Sequence, residues 1–256
     1  MTARVLVVRP RSASDADLVA LTGRGFAVTH DPYLVVATRT DDEAGARAHR
    51  LLDGLGPGAW LILASAAGAR ALADLLGADV VRASFATATQ SGARFAAVGP
   101  ASTEALQALG AGGVVVPSAP HTASGLLARL AEESPARALL PRSGIADSVI
   151  PATLGARGWQ VHAETLYETT PVVERPSTAD ALAEGGFDVV ILRSPSAVRA
   201  LRVFVPNLPA SVRVVAGGPT TALAAARLGL TVGGIAVDST PTAIADSVAA
   251  VLRRAA

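Results

Sequence analysis

The chain has 256 residues, of which half are hydrophobic and only 4% aromatic, so one large or two small domains must be built on a core of Ala, Val and Leu. It has no Cys and no Lys, which excludes disulfides, thiolate chemistry, Schiff-base chemistry and a P-loop lysine. The formal net charge is +1 with no basic run, which argues against a nucleic-acid partner.

No apolar run approaches the roughly 20 residues that span a bilayer. The first apolar stretch, residues 5–8, is too short for the hydrophobic region of a signal peptide. We therefore expect a cytoplasmic protein without a membrane partner.

Short continuous apolar runs recur along the chain and predict strands that are covered on both faces. In chain order these runs are residues 4–9, 26–30, 60–64, 95–98, 114–116, 137–140, 159–167, 187–192, a strand beginning at Arg213, and 230–237. Helices are predicted after most of them, whereas residues 80–93 have too weak a pattern to assign. The polar or proline-containing segments 35–42 and 168–176 are predicted linkers.

One strand-turn-helix unit occurs twice, at residues 95–110 and 213–229. Each copy reads as a strand, a glycine turn, a hydroxyl cap (Ser102 or Thr221) and a helix. Two further internal similarities relate residues 4–30 to 137–163 and residues 60–72 to 188–201. The chain thus reads as a two-strand unit and a three-strand unit, repeated in that order. One unit of each kind makes a five-stranded doubly wound domain.

The repeat leaves open how the four units combine into two domains. Consecutive units would give two side-by-side domains. Alternatively, the two middle units form one contiguous domain and the first unit joins the last into a discontinuous one. The second pairing needs two crossings between domains, and because there are two candidate linkers we favour it.

Four hydroxyl residues lie where predicted strands give way to helices: Ser65, Ser102, Ser194 and Thr221. In doubly wound sheets these turns lie at the carboxyl edge, where ligands bind, and helix N-termini there favour anions. Arg9, Arg142 and Arg193 lie at the same strand ends and could pair with carboxylates. Two such edges facing across a hinge would form a cleft for a polyanion. The simpler alternative is that the hydroxyls only cap helices and the arginines only carry surface charge.

No catalytic constellation is visible in the sequence. The four His residues are scattered without metal-ligand spacing, and there is no nucleophile elbow or dinucleotide fingerprint. An enzyme built on this chain would work largely by shaping and stabilising a reactive substrate, without a strong acid-base machine.

Several short motifs, taken together in their order and spacing, resemble the uroporphyrinogen-III synthase family nearly end to end. They are residues 5–10 (Val-Leu-Val-Val-Arg-Pro), 61–72 around Ser65, 98–102 (Val-Gly-Pro-Ala-Ser), 139–142 (Leu-Leu-Pro-Arg), 158–161 with 166–171, 191–201 around Ser194, 218–221 (Gly-Pro-Thr-Thr) and 228–232.

The resemblance implies an α/β fold of two flavodoxin-like, doubly wound parallel-sheet domains joined by a two-stranded linker, the first domain being discontinuous. Domain 1 would comprise residues 1–36 and 173–256, domain 2 residues 41–167, and the linkers residues 37–40 and 168–172.

The resemblance also implies a cofactor-free enzyme that closes linear hydroxymethylbilane to uroporphyrinogen III with inversion of ring D. The family mechanism loses the terminal hydroxyl as water and passes through an azafulvene cation and a spiro intermediate. Tyr167 matches the family tyrosine proposed to help that hydroxyl leave. The substrate's carboxylates would bind at Ser65, Ser102, Ser194, Thr221 and the Gly218 turn.

This chain departs from the family at three positions, one of which is Ser102, where members more usually carry Thr. Members often carry Thr before the serine that ends each of two strands, whereas Ala64 and Arg193 stand there. Arg193 could contribute charge in place of the missing hydroxyl.

We expect a monomer that could receive its substrate from hydroxymethylbilane synthase. The alternative is a non-catalytic module on the same hinge fold that binds a tetrapyrrole or a small anion.

Overall fold

The structure, a computed structural model, describes residues 2–10, 15–118, 121–145 and 148–254. The strands in these ranges are β1 (Arg4–Val7), β2 (Ala27–His30), β3 (Leu34–Thr38), β4 (Trp60–Leu63), β5 (Arg94–Ala97), β6 (Arg137–Ser143), β7 (Gln160–Pro171), β8 (Val189–Leu192), β9 (Arg213–Ala216) and β10 (Val232–Ile235). The helices are α1 (Asp15–Thr22), α2 (Ala44–Asp53), α3 (Ala66–Leu76), α4 (Ala78–Gln90), α5 (Pro100–Ala108), α6 (Ala123–Leu130), α7 (Val149–Ala156), α8 (Ala179–Ala183), α9 (Pro195–Phe204), α10 (Pro219–Arg227) and α11 (Pro241–Arg253). Within these ranges no helix combines the length and apolar character needed to cross a bilayer.

The chain divides into two compact units. Unit 1 comprises Met1–Val35 with Thr170–Ala256, and unit 2 comprises Val36–Thr169. The chain therefore passes between the units twice, once within β3 and once within β7.

Unit 1 is built on a parallel sheet with the order β10-β9-β8-β1-β2. Successive residues of each strand point to opposite faces, so Leu6 and Val190 join one core cluster while Val5 and Val189 join another. The central strands β1, β8 and β9 are covered on both faces, which is why they read as continuous apolar runs. The prediction of buried parallel strands is confirmed for these three, whereas the edge strands β2 and β10 are partly exposed.

Unit 2 has the sheet order β3-β7-β6-β4-β5. The strands from β7 to β5 pair in parallel, and β4, β5 and β6 are buried on both faces, with Leu61 in one core cluster and Trp60 in the other. The backbone N–H of Arg39 donates to Leu166 at 2.8 Å, whereas that of Val172 donates to Tyr33 at 3.1 Å. The partner number falls as the chain number rises, so β3 runs antiparallel to β7.

The segments predicted as linkers, residues 37–40 and 168–172, include the ends of β3 and β7, whose Thr residues suit an extended pleated backbone. Two local predictions differ from the structure. Residues 114–116, predicted as a strand, contribute only a bridge between Ala96 and Val115. The unassigned residues 80–93 lie mostly in α4, which buries Val81, Phe85 and Ala88 at helical spacing.

Candidate functional site

Turns at the carboxyl ends of parallel strands lie at one edge of each sheet. In unit 2 the turns from β4 to α3 and from β5 to α5 lie there, and in unit 1 the turns from β8 to α9 and from β9 to α10. Each helix presents its first N–H groups, which have no intrahelical acceptor, at that edge. Each edge can therefore bind anions by backbone N–H groups and the helix dipole.

Ser65 and Ser194 are N-caps, as predicted. The Ser65 hydroxyl accepts a hydrogen bond from the Ala67 N–H at 3.3 Å, and the Ser194 hydroxyl accepts one from the Ala197 N–H at 3.2 Å. Both residues have the extended backbone of a cap.

Ser102 and Thr221 are not caps, so that prediction is wrong. The caps are Gly99 and Gly218, and a proline occupies the first helical position after each. Because proline has no N–H and fixes a helical φ, the helix begins one residue after the glycine. The two hydroxyl residues consequently fall in the first helical turn, where they are buried.

Thr220, at the unit 1 edge, was not predicted as a site residue. It lies in the first turn of α10 and is exposed, unlike its buried neighbour Thr221. The Gly-Pro-Thr-Thr sequence carried the signal, because a helix that starts at Pro219 puts Thr220, not Thr221, nearest the edge.

Gly218 has a φ of 164°, which is ordinary extended backbone. The neighbouring Gly217 has a stricter requirement. A Cβ there would lie 2.9 Å from the Arg193 Cα. Only glycine lets this turn pack so closely against the end of β8.

Three of the predicted site residues come together in unit 2. Tyr167 on β7 is buried, with 6% of its surface exposed, and its hydroxyl shares a hydrogen bond with the side chain of Ser65. Arg142 on β6 is close enough for its charge to act on the phenol. Tyr167, Ser65 and Arg142 thus form one cluster at the carboxyl edge.

The protonation state of Tyr167 follows from this environment. Burial raises the pKa of Tyr167 above its ordinary value. The hydrogen bond with Ser65, the charge of Arg142 and a hydrogen bond with the Ser143 backbone each counteract the increase. The phenol is therefore protonated at neutral pH, and the groups around it would stabilise the phenolate left after proton transfer.

Arg9 and Arg193 share a buried carboxylate in unit 1. Arg9 Nη1 lies 2.8 Å from one oxygen of Asp17, and Arg193 Nη1 lies 2.5 Å from the other. Asp17 is fully buried, and Arg193 also donates to the carbonyl of Ser239. The two arginines that we predicted to bind substrate carboxylates are thus already paired with a carboxylate of the protein.

Burial, with the nearby charge of Arg9, lowers the pKa of Arg193 to about 10, and Asp17 opposes this shift. Arg193 is therefore charged at neutral pH. Asp17 was not predicted as part of the site, although it lies four residues before the buried Leu21 and so shares that face of α1. An acidic residue on the apolar face of a helix was the available signal.

In the described ranges no three His, Cys, Asp or Glu side chains are grouped so that they could hold a metal ion. His30 has a structural contact, with its Nε2 2.9 Å from the carbonyl oxygen of Arg9.

A surface depression of about 360 Å³ in unit 2 is lined by Gly56, Arg137 and Gln160. It lies at the amino ends of the strands, away from Tyr167.

Comparisons with known proteins gave one family match and several similar solved structures. The family model described as uroporphyrinogen-III synthase HemD matches residues 16–246. A mutant uroporphyrinogen III synthase from Thermus thermophilus is 19% identical, with 99% of this chain and 100% of that one covered and a TM-score of 0.60. The Helicobacter pylori enzyme is 14% identical over 99% and 100% of the chains, with a TM-score of 0.62. At these identities the two structures show a similar fold. Comparison with curated proteins gave no match.

Proposed function

The chain belongs to the uroporphyrinogen-III synthase family, and we infer from this membership that it closes hydroxymethylbilane to uroporphyrinogen III with inversion of ring D. It is a cyclising hydro-lyase of tetrapyrrole biosynthesis. Family membership disfavours the alternative of a non-catalytic binding module. We propose the following roles for particular residues in this reaction.

The observation that supports a catalytic role is the buried, protonated phenol of Tyr167 beside Ser65 and Arg142. Hydroxide is a poor leaving group, so the first step of the family mechanism needs a proton donor. We propose that Tyr167 donates its proton to the terminal hydroxyl as the carbon–oxygen bond breaks, and that the pyrrole nitrogen supplies the electron pair. Water leaves, the azafulvene cation forms, and the phenolate is stabilised by Ser65 and by the charge of Arg142. The proton released when the ring closes restores the phenol.

The substrate carries acetate and propionate carboxylates, and both units offer anion sites. In unit 2 we assign this binding to Arg142 and to the helix N-termini that begin after Ser65 and Gly99. In unit 1 we assign it to the turns at Ser194 and Gly218.

The hydroxyls of Ser102 and Thr221 are buried, so we propose that these residues shape the first helical turn while the N–H groups of Ala101 and Thr220 face the anion. Arg9 and Arg193 hold Asp17 at the unit 1 edge, and we assign them a structural role there.

We also propose that the two units are doubly wound domains related by an internal repeat, with boundaries at residues 1–36 plus 173–256 and 41–167. In support, β2-β1-β8-β9 and β7-β6-β4-β5 occupy equivalent positions of the two sheets. The bridge between Ala96 and Val115 lies where β10 lies in the first sheet, and β3 is an addition to the second. We propose a cytoplasmic monomer that takes its substrate from hydroxymethylbilane synthase.

Replacing Tyr167 tests the catalytic assignment. We expect Tyr167→Phe to lower kcat by about 10²-fold or more, since general acid catalysis contributes at least that much. KM should change little, because the ring still packs. Initial rates with hydroxymethylbilane measure both constants.

The matched control is Tyr33→Phe. Tyr33 is also buried and hydrogen-bonded, to Thr178 at 3.2 Å, but belongs to the core of unit 1. Equal kcat values for Tyr167→Phe and the wild type would remove the proton-donor role.

A further inference from the structure

Every residue of the segment around Tyr167 has a contact that holds it in place. Over Thr165–Glu168 of β7, each residue accepts a hydrogen bond or ion pair from another segment of unit 2. The contacts are Arg47 Nε to the Thr165 carbonyl at 3.1 Å, the Arg39 N–H to the Leu166 carbonyl at 2.8 Å, the Gly144 N–H to the Tyr167 carbonyl at 3.1 Å, and Arg39 Nη1 to the Glu168 carboxylate at 2.7 Å.

One carboxylate joins the two arginines of this set. Asp41, in the turn between β3 and α2, receives Arg47 Nη2 on both oxygens, at 2.6 and 2.7 Å. It also receives Arg39 Nε at 2.6 Å. Asp41 thus fixes Arg39 and Arg47 relative to each other while each holds a different point of β7.

The carboxylate of Asp41 and the guanidinium groups of Arg39 and Arg47 are charged over the whole working range of pH. Hydrogen bonds from Arg39 and then Arg47 lower the pKa of Asp41 to about 2. Arg47 is well packed, with 15% of its side chain exposed. Its head group therefore has little freedom to leave the Thr165 carbonyl.

Arg39 and Arg47, which Asp41 joins, contact β7 next to an irregularity in its pairing. The pairing of β7 with β6 becomes irregular between Arg142 and Ser143, the residue that pairs with Tyr167. The regular ladder is thus interrupted at the residue whose side chain needs fixed placement. Arg39 and Arg47 hold β7 on both sides of this irregularity.

We propose that Asp41 is a positioning residue for the reaction: through Arg47 it holds the backbone of β7 at Thr165, and through Arg39 it holds the side chain of Glu168, so that both sides of Tyr167 are fixed and the direction of the phenol is set. This inference rests on the proton-donor role proposed above. A misplacement of about 1 Å can cost on the order of 10²-fold in rate, so a contact remote from the substrate can matter to kcat.

The chain contains a matched control for this proposal. Arg50 also lies on α2, and its Nε lies 2.8 Å from the carboxylate of Glu164, three residues before Tyr167. That ion pair joins two side chains without holding the backbone, and Arg50 is more than half exposed. Arg50→Gln removes an ion pair between the same helix and strand without releasing the segment around Tyr167.

The experiment compares Asp41→Asn with Arg50→Gln and with Asp41→Glu. We expect Asp41→Asn to lower kcat about tenfold, part of the loss that misplacement produces, with KM changed less than about twofold. Asp41→Glu should recover much of the lost kcat, and Arg50→Gln should match the wild type. A purely structural role would instead lower the unfolding temperature and leave the kcat of the folded enzyme intact.

A second readout does not depend on activity. The chain has two Tyr residues, so in a Tyr33→Phe background the ultraviolet absorbance of tyrosinate reports Tyr167 alone. We expect the pKa of Tyr167 to fall towards its ordinary value in Asp41→Asn, because a released β7 exposes the phenol, and to stay unchanged in Arg50→Gln.

An unchanged kcat in Asp41→Asn, with an active wild type, would overturn the inference. If the wild type failed to produce the type III isomer, the proposed function would fall, and the tyrosine titration would still decide on Asp41. A shifted titration would support its hold on Tyr167, and an unshifted one would overturn it.

Discussion

The Ser65 hydroxyl has two hydrogen-bond partners, one in its own helix and one on a distant strand. It caps α3 by accepting from the Ala67 N–H, and it shares a second hydrogen bond with the Tyr167 hydroxyl. A serine hydroxyl can do both because it has one proton to donate and two lone pairs to accept with. Ser65 therefore combines a helix cap with a contact to the proposed proton donor, two roles that the sequence alone presents as alternatives.

Ser65→Ala separates the two contributions. We expect the variant to lose about 1 kcal/mol of unfolding free energy, the usual cost of a lost N-cap. We also expect kcat to fall about tenfold, the effect of roughly one hydrogen bond to the reacting group. Urea unfolding and initial rates measure the two quantities.

Thr122→Ala is the matched cap variant, because the Thr122 hydroxyl caps α6 by accepting from the Gly125 N–H at 3.0 Å. It should lose similar stability with kcat unchanged. If Ser65→Ala also left kcat unchanged, Ser65 would be a cap only.

At the scale of elements, the buried Asp17 connects α1 to the ends of β1 and β8. Its two arginine partners lie in segments distant in sequence, and their side chains are at most a quarter exposed. Removing one partner of a buried ion pair leaves an unpaired charge in a poorly solvated site.

We therefore expect Asp17→Asn to lower the free energy of unfolding by about 3 kcal/mol, since the two guanidinium groups would then face each other without a carboxylate. Asp246→Asn is the control, because Asp246 pairs with Arg24 on the surface. Exposed pairs contribute under about 1 kcal/mol. Similar losses for the two variants in urea unfolding would contradict the structural importance of the Asp17 cluster.

Local signals in the sequence predicted the elements well. Runs such as residues 60–64 and 187–192 identified buried strands, and Ser65 and Ser194 were correctly placed at helix starts. The error at Ser102 and Thr221 came from treating the hydroxyl as the cap when a Gly-Pro pair had already begun the helix. α4 escaped assignment because Ala and Thr dilute its apolar stripe.

The site was only partly predictable. Tyr167, Ser65 and Arg142 were each predicted from the sequence, but nothing local joins them, because the contact arises when β4, β6 and β7 align at one edge. The roles of Asp17 and Asp41 were not predicted, since each carboxylate receives arginines from separate segments. Pairings of this kind follow from topology, whereas sequence periodicity reports single elements.

At the scale of the whole molecule, the chain is an α/β protein with two parallel sheets, and its family membership assigns the reaction. In the function proposed above, helix N-termini of both units bind carboxylates of the substrate and unit 2 contributes the buried phenol. That assignment requires no strongly basic surface, because backbone N–H groups can bind anions and the net charge is only +1.

The isomer formed from hydroxymethylbilane tests the central claim most directly. The substrate closes spontaneously to the type I isomer, so inversion of ring D requires the protein. Purified protein, at a small fraction of the substrate concentration, should convert many equivalents to uroporphyrinogen III, as measured by chromatographic separation of the oxidised products. Formation of only the type I isomer by correctly folded protein would contradict the account.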